Sequence, residues 1–310
     1  MKLKGVILYN KTNAIPSLKF VSYLIIRFFI FIFGLLPFRA IYLLSDAIRF
    51  MLHRVLAYRK DVMVANLKAS FPEKSESHYN HIIKCAYQNL ADIMVEGIKG
   101  GSMTKKQIVR RYKFINPEIL DQAYEEGKSV ILVAGHYNNW EWAALSPPYF
   151  FNHQLVALYK RLHNPYLNRY MKNSRSHTGV KMYEIQKTAR AFQIHEDKEQ
   201  PSIYLMAADQ SPSNTDKAVW LQFLNQDTAC LHGPEKYARK YNLPVVFAYP
   251  QRVQRGFYEV RLEWLVRDVG QCDDGKITTL FMKRLEELII EQPENWLWTH
   301  KRWKHRREEV

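Results

Sequence analysis

The stretch FVSYLIIRFFIFIFGLLPF (residues 20–38) constrains this chain more than any other: it carries a single charge, Arg27. A bilayer-spanning helix needs about 20 apolar residues, so the run is long enough to cross a membrane or lie in its interface. Between residues 28 and 33 Phe and Ile occupy every face of a helix, unlike the one-sided stripe of a helix packed on a soluble core. Arg27 sits near the middle, where a charge costs about 2.5–3.5 kcal/mol on insertion scales. Snorkelling or a tilt into the interface lowers that cost. The run begins late and no small-x-small site follows it, which argues against a secretory signal. Next to it, AIYLLSDAIRFMLHRVL (40–56) has helical periodicity with Asp46, Arg49 and Arg54 spread along it, an amphipathic neighbour. Lys2, Lys4, Lys11 and Lys19 precede the run, and Arg39, Arg49, Arg54, Arg59 and Lys60 follow it. Cations on both sides suit an anionic leaflet and give no orientation. The competing reading is a pair of ordinary core helices.

Composition narrows the class. The chain has 310 residues, 47% of them hydrophobic, enough to fill a real core, which excludes a disordered chain. The three cysteines, Cys85, Cys230 and Cys272, are far apart and form no C-x-x-C, so neither a disulfide scaffold nor an oxidising compartment is indicated. Lys and Arg exceed Asp and Glu by 45 to 30, a formal charge of +15 that implies an anionic partner: nucleic acid, anionic lipid or an acidic carrier protein.

Beyond the apolar run, helical patterns cover residues 75–98 and 117–126. Then SVILVAG (129–135), LVALY (155–159), SIYLMAA (202–208), VWLQFL (219–224), PVVFAYP (244–250) and YEVRLEWLV (258–266) read as strands. Helical stretches at 166–175, 188–197 and 234–241 lie between several of them, and 277–291 forms a final amphipathic helix. This alternation predicts an α/β fold, a mostly parallel central sheet flanked by helices, with membrane-associated helices at the N-terminus. Residues 1–57 read as the anchoring segment and 58–310 as the α/β domain.

Several motifs fail on inspection. Gly127-Lys128-Ser129 mimics the end of a P-loop, but Gln122 replaces the first glycine and the triplet precedes a strand. Cys230 and His232 have no partner pair at zinc spacing, so no metal site is expected. No nucleic-acid signature occurs.

AGHYNNWEW (134–142) directly follows a predicted strand and holds His136 and Glu141. On one helix those positions would lie about 140° apart. The pair makes sense across a strand-to-helix junction, with His136 at the strand's carboxyl end and Glu141 in the first helical turn. Open α/β sheets place ligands at such ends. A carboxylate that fixes one imidazole tautomer makes the ring a competent general base. The same residues also fit a capping box, Asn138 as N-cap and Glu141 at N3, with His136 a turn residue.

The His-x4-Glu element resembles the His-x4-Asp/Glu signature of glycerolipid-type acyltransferases. The whole chain resembles, more closely, the lipid A late (secondary) acyltransferases, the lauroyl/myristoyl transferase family. The matching blocks run in family order: YRKDVMVANLKASFP (58–72), GHYNNWEW (135–142), YKRLHNPYLNRYMKNSR (159–175), ADQSP (208–212) and ENWLWTHKRWK (294–304). One departure is Tyr159-Lys160-Arg161, where the family usually has Tyr-Arg-Pro; the cation survives, but a bidentate fork is lost there unless Arg161 supplies it.

The resemblance implies an acyltransferase that moves a fatty acyl chain from acyl carrier protein thioester, a co-substrate, to a hydroxyl of a lipid A precursor, with no cofactor. It implies His136 as general base oriented by Glu141, and Lys160, Arg161, Arg175, Asp209 and Gln210 as substrate-binding residues. Arg175 is the candidate to meet the oxyanion or hold the acceptor. Asp209 and Gln210 end a predicted strand and belong on His136's sheet edge, although a turn would use the same residues. The expected partners are acyl carrier protein, anionic lipid and membrane, with no nucleic acid, and the expected place is the cytoplasmic face of the bacterial inner membrane. Two alternatives stand: the same chemistry on a lysophospholipid or amino-acid lipid, and a non-catalytic basic binder of membrane or nucleic acid. The C-terminal cations Lys301, Arg302, Lys304, Arg306 and Arg307 alternate with Trp296, Trp298 and Trp303, a pattern that suits a membrane interface or an acidic partner.

Overall fold

A computed structural model describes residues 15–307, with side chains from residue 18; Lys2, Lys4 and Lys11 lie outside the described residues. In chain order the elements are α1 (Ile15–Leu35), α2 (Phe38–Phe50), α3 (Lys60–Ser70), α4 (Glu76–Gly100), α5 (Lys105–Arg111), β1 (Tyr112–Phe114), α6 (Glu118–Glu125), β2 (Val130–Ala134) and α7 (Trp140–Ala143). There follow β3 (Gln154–Tyr159), α8 (Pro165–Ser176), β4 (Lys181–Glu184), α9 (Thr188–Glu196), β5 (Ser202–Ala207), β6 (Val219–Phe223) and β7 (Gln226–Cys230). The last are α10 (Gly233–Tyr241), β8 (Val245–Gln254), β9 (Phe257–Val266) and α11 (Lys276–Glu291).

Seven strands form one sheet in the order β1-β9-β8-β2-β5-β3-β4. β8, β2, β5, β3 and β4 run parallel, while β9 pairs antiparallel with β8 and carries β1 with it. The expected mostly parallel α/β sheet is therefore present. VWLQFL is a strand, but it pairs with β7 in a separate hairpin instead of joining the sheet. β1, β4 and β7 are too short or too polar to show in the hydropathy pattern.

The β2 run is apolar throughout because helices cover both faces. Ile131 and Val133 point into the core formed with α3, α4, α10 and α11. Val130 and Leu132 point into the opposite core with Leu120, Trp142 and Tyr258. The chain leaves β2 toward β3 on one side and later returns to β8 on the other, so the end of β2 is the topological switch point.

α1 is about 32 Å long at 1.5 Å per residue, close to the roughly 30 Å of a bilayer's hydrocarbon. Residues 18–35 of α1 are long and apolar enough to cross a membrane, and none of that stretch is buried. It is a candidate membrane anchor. Arg27 is not an isolated charge: its guanidinium lies 4.5 Å from the Tyr170 ring centre of α8 and donates to Tyr23 Oη at 3.3 Å. α2 is tied to α4 by the buried Ser45 hydroxyl, which donates to Asp92 at 2.6 Å.

Candidate active site

The register of β2 on β5 builds the site. Ala134 stands opposite Ala207, so the residues two further on, His136 and Asp209, emerge side by side from neighbouring strand ends. Gly135 permits the approach: a Cβ there would lie 2.9 Å from Leu285 and 3.6 Å from the Asp209 carboxyl carbon. Asp209 Oδ1 pairs with His136 Nδ1 at 2.6 Å, while Oδ2 accepts from the His136 backbone N–H at 2.9 Å and from the Trp296 indole at 2.8 Å. On the far side of the ring, Gln210 donates its amide to His136 Nε2 at 3.2 Å. The Trp140 ring packs edge-on to the imidazole, 5.2 Å between centres.

These contacts select one protonation pattern. Burial of Asp209 opposes its charge, but the His136 charge and the hydrogen bonds from His136 and Trp296 outweigh that and hold the carboxyl down at about 2. An ionised Asp209 only accepts, so Nδ1 carries the proton and Nε2 offers its lone pair outward. Burial pulls His136 toward neutrality; Asp209, then Glu141, pull harder the other way, and its pKa is raised.

The carboxylate in contact with His136 is thus Asp209, whereas Glu141, expected to orient the ring, is paired elsewhere. Glu141 is in the first turn of α7, as expected, but its side chain turns over Gly97 of α4, where a Cβ would come within 3.1 Å of its Cγ. There it accepts from Arg175 Nη2 of α8 at 2.7 Å. The capping-box alternative fails too: the N-cap is Asn139, whose Oδ1 accepts from Trp142 N at 2.9 Å.

The turn that follows His136 is held from three sides. Asn138 takes a left-handed conformation (φ 49°), which asparagine tolerates; its N–H donates to Asn295 O at 2.8 Å and its side chain to Pro250 O at 2.9 Å. Asn139 donates to Glu96 Oε2 at 2.7 Å. Glu96, fully buried in α4, also accepts from Tyr42 of α2 at 2.7 Å and Tyr258 of β9 at 2.8 Å. Burial pushes its carboxyl up to about 7 against the pull of those hydroxyls and Arg252.

Trp296 and Trp298 are buried, as is Arg302, which donates to Ala229 O at 2.8 Å; they do not line a membrane interface. Trp296 fixes Asp209 instead, and Trp303 reaches Thr228 at 2.7 Å. Lys160 and Arg161 stand exposed beyond β3, Arg161 facing Glu184 at 4.0 Å, and neither joins the His136 group among the described hydrogen bonds. Sequence reasoning did not place Trp296 beside Asp209, and it missed Glu96. The parallel endings VILVAGH and IYLMAADQ placed His136 and Asp209 on one sheet edge but did not pair them.

Beside this group lies an apolar cavity of about 270 Å³. Ile30 of α1, Leu90, Ile93 and Ile98 of α4 and Tyr170 and Met171 of α8 line it, together with Trp140, Glu141 and Arg175.

A histidine–carboxylate pair at the switch point of an α/β sheet, beside an apolar slot lined in part by an arginine, is the arrangement of an enzyme's active site. The family model for bacterial lipid A biosynthesis acyltransferases matches residues 12–305, so the chain belongs to that family and is an acyltransferase. It is also similar to a lipid A biosynthesis acyltransferase of Haemophilus influenzae, 23% identical over 276 residues that span 87% of this chain and 84% of that protein.

Proposed function

We propose that this enzyme transfers a fatty acyl chain from an acyl carrier protein thioester to a hydroxyl of a lipid A precursor, at the cytoplasmic face of the bacterial inner membrane, with His136 as base and Asp209 as its orienting partner. The observation that carries the reading is the 2.6 Å His136–Asp209 contact, which keeps the proton on Nδ1 and the lone pair on Nε2, facing the Gln210 amide. The acceptor displaces the Gln210 amide from Nε2, and His136 takes the hydroxyl proton. The hydroxyl oxygen then attacks the thioester carbonyl carbon. Arg175, which lines the cavity and is held by Glu141, offers its remaining N–H groups to the oxyanion. The C–S bond breaks, and the leaving thiolate recovers the proton from His136. The acyl chain lies in the apolar cavity, and α1, which supplies Ile30 to its wall, seats the enzyme on the lipid surface that holds the acceptor. Family membership and the Haemophilus relative support the acceptor class; the cavity and the exposed apolar face of α1 support the lipid setting.

The test is a competition. Full-length protein in detergent receives labelled acyl carrier protein thioester and a mixture of a tetra-acylated lipid A precursor, a lysophospholipid and a mono-acylated amino-acid lipid. Label is expected in the lipid A precursor and lost in a folded His136→Ala variant. Label only in another acceptor, or undiminished transfer by His136→Ala, overturns the reading.

A further inference from the structure

From Trp142 to His195 the chain holds eight Lys and Arg residues and one carboxylate, Glu184. Their net charge of +7 is nearly half of the chain's excess of +15. They fold into β3, α8, β4 and α9, and β4 is the open edge of the sheet. Along that edge a cleft of about 460 Å³ opens between α8 and α9. Lys172, Lys181, Lys187 and Arg190 line it, all exposed. Glu184 meets Lys187 at 3.5 Å and Arg161 at 4.0 Å; among the described residues Lys172, Lys181 and Arg190 have no carboxylate partner. Unpaired cations gathered in a concavity repel one another, and an anion relieves that cost.

The cleft and the apolar cavity share a wall. Tyr170, Met171, Ser174 and Arg175 of α8 face the cavity, whereas Lys172 and Ser176 face the cleft. One helix, about 10–12 Å across with its side chains, separates them. None of its residues is buried, so α8 is held by its partners and not by a core of its own. Arg175, on this helix, is the arginine that lines the cavity and pairs with Glu141.

We propose that the α8–β4–α9 cleft is the docking surface for the acidic carrier protein that brings the acyl thioester, placing that protein one helix away from the cavity that receives the chain. The choice of donor rests on the reading under Proposed function; the location does not. Two features favour a protein over a membrane. A surface that binds lipid combines cations with inserted apolar side chains. Between residues 160 and 190 only Leu162 and Ile185 are exposed large hydrophobics, while such residues crowd α1 and α2. A cationic concavity also steers an acidic protein by its long-range field, which raises the association rate.

The test measures binding separately from turnover. A fluorescently labelled carrier protein bearing its phosphopantetheine arm is titrated against full-length wild-type enzyme, Lys181→Glu/Arg190→Glu, His136→Ala, and Lys301→Glu/Lys304→Glu, which reverses two exposed C-terminal cations as a charge control. Wild type, His136→Ala and the control are expected to bind alike, with affinity falling as salt rises. The cleft variant is expected to lose at least tenfold in affinity and most of its salt dependence. Equal binding by the cleft variant, an equal loss in the charge control, or no binding by wild type overturns the proposal. So does a cleft variant that binds carrier protein normally but loses adhesion to anionic phosphatidylglycerol vesicles, which would assign the cleft to the membrane. If binding follows the expected pattern but no acyl transfer occurs, the docking surface stands and the proposed reaction fails.

Discussion

Asp209→Asn isolates the chemistry of the site with almost no change in shape. The carboxylate meets three N–H groups: Oδ1 faces His136 Nδ1 at 2.6 Å, and Oδ2 faces the His136 backbone at 2.9 Å and Trp296 at 2.8 Å. An asparagine has one oxygen and one NH₂ for these positions. With its oxygen toward Nδ1, the NH₂ confronts two donors and orphans both, at about 1–3 kcal/mol each. With its oxygen toward those two donors, every bond is made, but the NH₂ now donates to Nδ1. The histidine proton must then sit on Nε2, where the base is needed. The second arrangement wins, so the expected loss of stability is small, on the order of 1 kcal/mol. The charge-assisted bond to imidazolium, about 1.5–3 kcal/mol, accounts for a 10- to 150-fold fall in kcat. The wrong tautomer multiplies that, toward the roughly 10⁴-fold known for the equivalent change in a serine-protease triad. The acid limb also moves. Asp209 raises the His136 pKa, so the wild-type rate climbs with pH only as the ring deprotonates above its ordinary 6.5, and the variant's limb shifts to lower pH. The assay is kcat against pH, with thermal melting alongside. A variant within fivefold of wild type with an unmoved acid limb would refute the assignment of Asp209.

Three further outcomes follow from the same geometry. Arg175→Lys keeps an ion pair with Glu141 but loses the fork proposed to meet the oxyanion; kcat should fall about 10- to 100-fold with KM little changed, by steady-state kinetics. Ile98→Trp fills part of the apolar cavity and should lower kcat/KM for a tetradecanoyl donor at least tenfold relative to a decanoyl one, read from a mixed-donor competition. Glu96 ionises at about 7 in the folded chain against an ordinary 4.5. The native state therefore holds an extra proton between those values, contributing roughly 3 kcal/mol of stability below pH 4.5 that is lost as pH rises to about 7. Glu96→Gln should flatten that slope in denaturant titrations at pH 4.5 and 7.5, and an unchanged slope would remove Glu96 as its source.

What the sequence showed of this site was local. The β-branched run before Gly135 and the run before Asp209 marked two strand ends, and both are strands with those ends adjacent. Which carboxylate touches His136 was not local. Glu141 is five residues away along the chain, and Asp209 is 73, yet the parallel register brings Asp209 to 2.6 Å. His-x4-Glu spacing describes a turn; it does not say that a glycine in α4, Gly97, leaves the space into which Glu141 folds toward Arg175. The C-terminal tryptophans failed for a related reason. Alternating Trp and Lys/Arg suits a membrane interface, but the same alternation also suits a segment with one side in the core. Here the indoles of Trp296 and Trp298 find Asp209 and Pro293 O as buried acceptors, and the Lys301 and Lys304 side chains stay outside.

Glu96 shows how far that non-local logic extends. Its two oxygens accept from α2, from β9 and from the turn that carries Glu141, so one buried carboxylate joins the N-terminal helices to the active site. Asp92, one turn earlier in α4, repeats the arrangement: it binds Ser45 of α2, and also Arg252 and Arg255, which extend from β8 into the hairpin. No apolar contact needs two adjacent acids at these positions, and burying them is costly without partners. Their placement makes sense if α2 must hold one fixed orientation relative to the catalytic turn. Hydrophobic packing alone would let α2 slide over α4 at little cost, whereas directional hydrogen bonds to buried carboxylates do not. Under the proposed reaction that rigidity has a use: if the N-terminal helices meet the lipid that holds the acceptor, their orientation sets where its hydroxyl arrives relative to His136 Nε2.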